Sequence, residues 1–445
     1  MPARRASWLF LLKKWYCKMQ VYKYPSPQEA AEIIRRPVLD LSEIESRVKP
    51  VLEEVKSRGD FALKKFALDF DNMLIDEFEV SAQELLAAAG SMDSELKEAI
   101  DQAYDNIYRF HQSQLRAEDP VETMPGVTCW RKSVGIEKVG IYIPGGTAPL
   151  FSTVLMLGIP ASIAGCKEIV LCSPGNHPAI YYCALKCGVT RVFRIGGAQA
   201  IAAMAYGTES VPRVHKIFGP GNQYVTAAKQ LVTQSGVAID MPAGPSEVAV
   251  LADETANPAF VAADLLSQAE HGKDSQVLLV STSEKRIEET LAEVQRQLDL
   301  LPRKGMADGA LENSRAVLVE NTDQAMELLN SYAPEHLILA VKNPEEVGEK
   351  VINAGSVFLG HYTPESCGDY ASGTNHTLPT NGYAKAYSGV SVDSFVKKIT
   401  YQQISREGLQ HIGNTVMRMA EAEQLQAHSN AVRVRLERLD NPHES

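Results

Sequence analysis

Val139-Gly140-Ile141-Tyr142-Ile143-Pro144-Gly145-Gly146 is a short run rich in β-branched residues that stops at a proline–glycine turn. The same grammar returns twice. Ile169-Val170-Leu171-Cys172 runs into Ser173-Pro174-Gly175, and Arg191-Val192-Phe193-Arg194-Ile195 runs into Gly196-Gly197. Strands that alternate with helices predict parallel α/β units. A strand over 248–252, a helix over 258–270 and a strand over 276–280 repeat the pattern, so more than one such unit is expected. Parallel sheets offer ligands the carboxyl ends of their strands. The glycine-rich turns lie there, although glycine also ends strands for steric reasons alone.

Working outward, residues 26–114 read as amphipathic helices. Pro27-Gln28-Glu29 opens one and Leu41-Ser42-Glu43 another, with apolar positions at helical spacing through Val51, Val55, Phe61, Leu63 and Phe66. The tail from about Asp393 is expected to return to helix, with strong periodicity over 421–436.

At 445 residues the chain can bury two or three cores. Its composition is that of an ordinary globular protein, and a formal net charge of −11 argues against nucleic-acid binding. Seven irregularly spaced cysteines without a C-x-x-C pair make a disulfide framework or thiolate metal site unexpected and fit a reducing cytoplasm. The longest apolar run, 151–165, is broken by Pro160 and too short to span a bilayer. Neither G-x-G-x-x-G after a strand nor a Walker A loop is present, so residues alone make a weak case for a dinucleotide.

Four stretches could carry chemistry. In Gln268-Ala269-Glu270-His271 the two outer residues share a helix face and could meet one metal; the bland reading is a helix end with His271 on its dipole. Ala333-Pro334-Glu335-His336-Leu337 holds two proton-transfer groups on a turn before a strand, or else a solvated loop pair. The polar stretch from Gly368 to His376 contains Asp369 as a possible oxygen ligand, and Asp240-Met241-Pro242-Ala243-Gly244-Pro245-Ser246-Glu247 has similar turn character. His428 stands alone on a helix, with Glu423 at poor same-face spacing, and reads locally as a surface residue. Cys129 and Cys166 sit in apolar surroundings and read as structural rather than nucleophilic.

Together these stretches resemble the histidinol dehydrogenase family. The resemblance rests on Tyr142 to Leu150, Phe218-Gly219-Pro220-Gly221-Asn222, Asp240 to Glu247, Asp264 to Gly272, Ala333 to Leu337 and Gly368 to His376, and runs from about Tyr24 to Arg435. It implies an α/β protein of two incomplete Rossmann-like parallel-sheet domains with helical N- and C-terminal extensions, forming an intertwined homodimer. Residues 19–140 with 250–390 would form the first domain, 141–249 the NAD-contacting domain, and 391–445 a helical dimerisation tail. The resemblance implies one zinc per subunit on Gln268, His271, Asp369 and His428, and acid–base roles for Glu335 and His336. Ser246, Glu423 and His376 would join the ligands and His336 around L-histidinol, with His428 and Glu423 completing the neighbouring subunit's site. Tyr142, Gln199 and Asn222 would contact NAD. A paralogous zinc and NAD dehydrogenase of another small alcohol, such as a sulfonated diol, is the nearest alternative.

Residues 1–18 place Arg4, Arg5, Lys13 and Lys14 around a short apolar core, Trp8 to Leu12, with no cleavage site after it. They read as a dispensable extension rather than a basic membrane anchor, since one apolar turn binds membranes weakly. A chain lacking residues 1–18 is expected to match the full chain in specific activity, which a steady-state assay of both proteins checks.

Overall fold

The computed structural model describes residues 18–36, 41–145, 149–242 and 244–440. The extension therefore lies outside the described residues except for Lys18, whose exposed ammonium pairs with Asp308 and Glu312. Such surface pairs contribute about 1 kcal/mol or less.

The strands are β1 (Gln20–Lys23), β2 (Val121–Met124), β3 (Val127–Gly135), β4 (Lys138–Tyr142), β5 (Glu168–Cys172), β6 (Arg191–Phe193), β7 (Lys216–Phe218), β8 (Ala238–Ile239), β9 (Glu247–Ala252), β10 (Gln276–Ser281), β11 (Arg315–Leu318), β12 (His336–Ala340), β13 (Ser356–Leu359) and β14 (Val396–Ile404). A parallel five-stranded sheet has the order β6-β5-β4-β7-β8, and a parallel six-stranded sheet the order β1-β11-β10-β9-β12-β13. Apart from β1 on its edge, the second sheet repeats the first: each starts in the middle, steps outward twice, then returns to the other side of its first strand. Both are thus the incomplete doubly wound sheets expected, each with a switch point beside its first strand.

The inner strands of both sheets are buried on both faces, which is why they are largely apolar; β9 and β12 are buried at every position. The helices Gly197–Tyr206 and Gln223–Val232 cover one face of the five-stranded sheet together with the helical stretch Leu41–Asp71, which is broken by a kink at Gly59. Ser94–Gln112, Phe151–Ile163 and Pro178–Lys186 cover the other. The helix Pro258–Ala269 follows β9 and packs on the six-stranded sheet, capped by the Asn257 side chain with Pro258 in its first turn. Because it runs back along the strand it follows, its C-terminus returns to the amino edge of that sheet.

Two expectations needed correction. The tail does not return straight to helix: β14 comes first and pairs antiparallel with β3 along nine residues, in a three-stranded sheet with β2. Its sequence, Val396 to Ile404, is mostly polar and almost wholly exposed, so it lacks the apolar signature of a core strand. The periodic stretch 421–436 is also two helices, Arg406–Ala422 and Gln426–Asp440, broken where Gln424 adopts φ +61°. Among the described residues no helix is long and apolar enough to cross a membrane.

One turn between the sheets is forced to be glycine. Gly219 has φ +125°, and a Cβ there would lie 2.1 Å from the Tyr142 carbonyl oxygen. Gly219→Ala is expected to lower stability by about 2–5 kcal/mol, combining backbone strain and overpacking, and urea unfolding of the two proteins measures it.

Candidate active site

Glu247 begins β9 and His336 begins β12, neighbours in a parallel ladder that sets His336 opposite Val248. Ala333 ends the preceding helix in a left-handed turn at φ +53°, and Pro334 blocks its continuation, so Glu335 and His336 enter the sheet at its amino edge. Both are buried, which removes the solvated-loop reading. The Glu247 amide donates to Glu335 Oε2 at 2.9 Å, and Gln268 Nε2 reaches the same oxygen at 3.3 Å. His336 Nδ1 lies 3.2 Å from the Glu247 carbonyl oxygen. A carbonyl only accepts, so Nδ1 carries a proton, and in the neutral ring Nε2 is the nitrogen with the lone pair. That Nε2 is buried without a hydrogen bond and faces Asp369 Oδ1 at 3.4 Å.

Burial raises the Glu335 carboxyl well above the usual range, opposed by His336 and the Glu247 amide. For His336, burial would lower the pKa, but the Glu335, Asp369 and Glu365 carboxylates outweigh it and raise it. His271 opens onto the cavity yet is ringed by protein, and that burial lowers its pKa against the pull of Asp369. Asp369 is lowered despite its burial because the His336 ring faces it at 3.4 Å and His376 and His271 stand near. His376 has both ring nitrogens engaged, Nδ1 with the Asp369 carbonyl at 2.7 Å and Nε2 with Thr153 Oγ1 at 3.0 Å.

Two cavities meet here. One of about 280 Å³ is lined by Ser246, His271, Glu335, His376 and the 219–222 turn. The other, of about 870 Å³, lies over the carboxyl ends of β4, β5 and β6, at Tyr142, Gly145, Pro174, Gly197, Gln199 and Asn222. Asn222 lines both; its Oδ1 caps the helix Gln223–Val232. Gln199 is buried with an unpartnered Oε1, while Tyr142 accepts from the Gly197 amide and burial pushes its hydroxyl up to about 12. Carboxyl ends of one sheet therefore serve one cavity, as expected, but amino ends of the other sheet serve the second.

Gln268, His271 and Asp369 converge near His336, and Gln268 Oε1 is another buried atom without a partner. An amide oxygen, an imidazole held neutral and an ionised carboxylate form a donor set suited to a borderline divalent cation. Among the described residues no three His, Cys, Asp or Glu side chains form a metal cage by themselves. Glu423 and His428 lie elsewhere: both are exposed on the C-terminal helix pair and line neither cavity. No cysteine lines either cavity, and burial pushes the Cys166 thiol up to about 11.

Sequence reasoning passed over several polar residues packed around this site. Glu365 is buried with Oε2 unpartnered, four residues before Asp369 on one short helix; burial raises it to about 7. Asp264, four before Gln268, is also raised by burial to about 7. Those i, i+4 spacings were the available signal. Lys229 gave none: it pairs at 2.5 Å with Asp240, which opens one of the candidate stretches, their side chains 4% and 2% exposed, and the two grip Gly219 by its carbonyl and amide. Lys229→Met would leave Asp240 buried without its cation, so a loss of about 3–5 kcal/mol is expected in urea unfolding, largely recovered in Lys229→Met/Asp240→Asn.

The histidinol dehydrogenase family model matches residues 34–436. The chain is 60% identical over 426 residues to the histidinol dehydrogenase of Bacteroides thetaiotaomicron, covering 95% of this chain and 100% of that one. It is 51% identical to that of Yersinia pestis, covering 94% and 95%. The crystal structure of histidinol dehydrogenase from Elizabethkingia anophelis superposes with a TM-score of 0.94 at 53% identity, covering 96% of this chain and 99% of that one.

Proposed function

Because the chain belongs to the histidinol dehydrogenase family, we propose that it oxidises L-histidinol to L-histidine through a bound L-histidinaldehyde, reducing two NAD. The observation that carries the mechanism is the buried His336 Nε2, free of any hydrogen bond, beside Gln268, His271 and Asp369.

Gln268, His271 and Asp369 would hold a zinc ion, with His428 of a second subunit as fourth ligand; bound there, zinc would act as template and Lewis acid for the amino alcohol. Ser246, His376 and the partner subunit's Glu423 would complete the substrate's surroundings. With a cation held there, the Asp369 charge would be committed to it and would no longer favour a proton on His336. His336 Nε2 then takes the hydroxyl proton as hydride leaves the carbinol carbon. NAD in the larger cavity, against Tyr142, Gln199 and Asn222, would accept hydride in each half-reaction. Glu335, whose raised pKa suits a general base near neutral pH, takes a proton from the water that adds to the aldehyde. The hydrate would then lose its hydride to the second NAD and its two hydroxyl protons to His336 and solvent, giving the carboxylate.

The exposed C-terminal arm supports the homodimer. Ile399, Tyr401, Ile404, Met419, Leu425 and Val434 all present apolar surface there, more than an isolated arm gains from leaving in water. Residues 19–140 with 250–390 would then be the metal-holding unit, 141–249 the NAD unit and 391–445 the arm that crosses to the partner. The cysteines among the described residues are all free, which suits work in the cytoplasm.

About two NADH per L-histidinol are expected, collapsing on chelation and returning with zinc. Glu335→Gln is expected to bring the yield toward one and slow turnover by about 10²–10⁴-fold, the range for a lost general base. A wild-type yield near one would mean a simple alcohol dehydrogenase. No turnover by folded, metal-loaded protein would redirect the search to other small alcohols.

A further inference from the structure

Arg36 and Glu247 line neither cavity, yet they tie together every segment that delivers the proton-transfer pair. The Arg36 guanidinium engages Glu247 with a two-pronged fork, Nε to Oε1 and Nη2 to Oε2 at 2.8 Å. The same Nη2 donates to the Tyr332 carbonyl at 2.8 Å, and the guanidinium lies over the buried Tyr332 ring, 4.1 Å from its centroid. Tyr332 and Ala333 form the turn that leads into Glu335 and His336. Glu247 Oε1 also accepts the amide of Asn381 at 2.9 Å, which fixes the loop carrying Thr380 onto the smaller cavity. The Glu247 main chain touches both reacting side chains, its amide on Glu335 Oε2 and its carbonyl on His336 Nδ1.

We propose that Arg36 and Glu247 are positioning residues: their fork locks the Glu247 peptide against the Ala333 turn, so that one backbone amide aims the Glu335 carboxylate and one carbonyl sets the His336 tautomer. Arginine is required because only its planar fork binds a carboxylate through two nitrogens while a face stacks on an aromatic ring. Lysine keeps the charge and loses both geometries. Buried with side chains 14% and 3% exposed, the pair could also be no more than a structural ion pair. The two roles differ in what happens when both charges are removed together. A structural pair is replaceable by apolar residues of similar size, whereas a positioning pair is not.

The inference rests on the roles given above to Glu335 and His336, so Glu335→Gln is measured beside Arg36→Lys and Arg36→Met/Glu247→Met. Each full-length, zinc-loaded protein is assayed separately with L-histidinol and with L-histidinaldehyde, and specific activity is normalised to folded protein. Arg36→Lys is expected to lower kcat with the aldehyde by about tenfold while KM for NAD and for the aldehyde stays within about twofold. The double variant is expected to melt near the wild-type temperature and still lose at least tenfold in kcat. Should it fail to fold, Arg36→Lys alone decides. Unchanged kcat per folded molecule in every variant that folds would overturn the inference, as would a loss in which KM rises with kcat preserved. If Glu335→Gln itself retains wild-type kcat with the aldehyde, the assignment of Glu335 fails instead.

Discussion

A carboxylate and an imidazole can be buried side by side only if protein dipoles replace the water that each has lost. At the amino edge of the six-stranded sheet that replacement comes from one residue, Glu247, whose amide and carbonyl serve Glu335 and His336. Parallel strands make this possible. The first residue of a strand has backbone groups not yet consumed by the ladder, and the neighbouring strand begins at the same level. The constraint extends outward, because Glu247 is itself a buried acid. It needs Arg36, Arg36 needs the Tyr332 ring and carbonyl, and the amino edge thereby becomes a fixed lattice of charge.

That lattice explains why the site departs from the usual address of ligands in doubly wound sheets. The five-stranded sheet obeys the rule, with its larger cavity over the strand ends at Tyr142, Pro174 and Gly197. The six-stranded sheet turns its amino edge to the smaller cavity. Gln268 and His271 reach it because they end a helix that has run back from the far edge of the sheet. Opposed edges put glycine-rich turns, suited to an extended ligand, across a gap from buried titratable groups suited to proton transfer.

Much of this was legible in the sequence, and for local reasons. Apolar runs ended by Pro-Gly or Gly-Gly marked three strands of the five-stranded sheet, apolar runs on either side of a helix marked β9 and β10, and Pro334 marked the turn before Glu335 and His336. What stayed hidden depended on partners far along the chain. Arg36 and Glu247 are 211 residues apart and meet only once the sheet is assembled. Lys229 sits in a helix with nothing local to distinguish it from a surface lysine. The strand β14 was missed because its neighbours leave it exposed, so no burial pattern was written into it. Glu423 and His428 carry no local signal either: they lie exposed at the end of one helix and in the next, and only the family resemblance singled them out.

The two cavities share one wall residue, Asn222, and the way it is held bears on how a reactive aldehyde could be retained. Its Oδ1 is occupied in capping the helix Gln223–Val232, so only its amide nitrogen is left for either cavity. The turn before it cannot relax: Gly219 is gripped at its amide by Asp240 and at its carbonyl by Lys229, and presses against the Tyr142 carbonyl. A wall fixed on three sides would hold the distance between the cavities constant through the two half-reactions proposed. On that proposal, movement would be left to the ligands, and a dinucleotide would exchange in the larger cavity without opening the smaller. This is the geometry that successive hydride transfers from one bound carbon require, because orientation is retained while the acceptor is renewed.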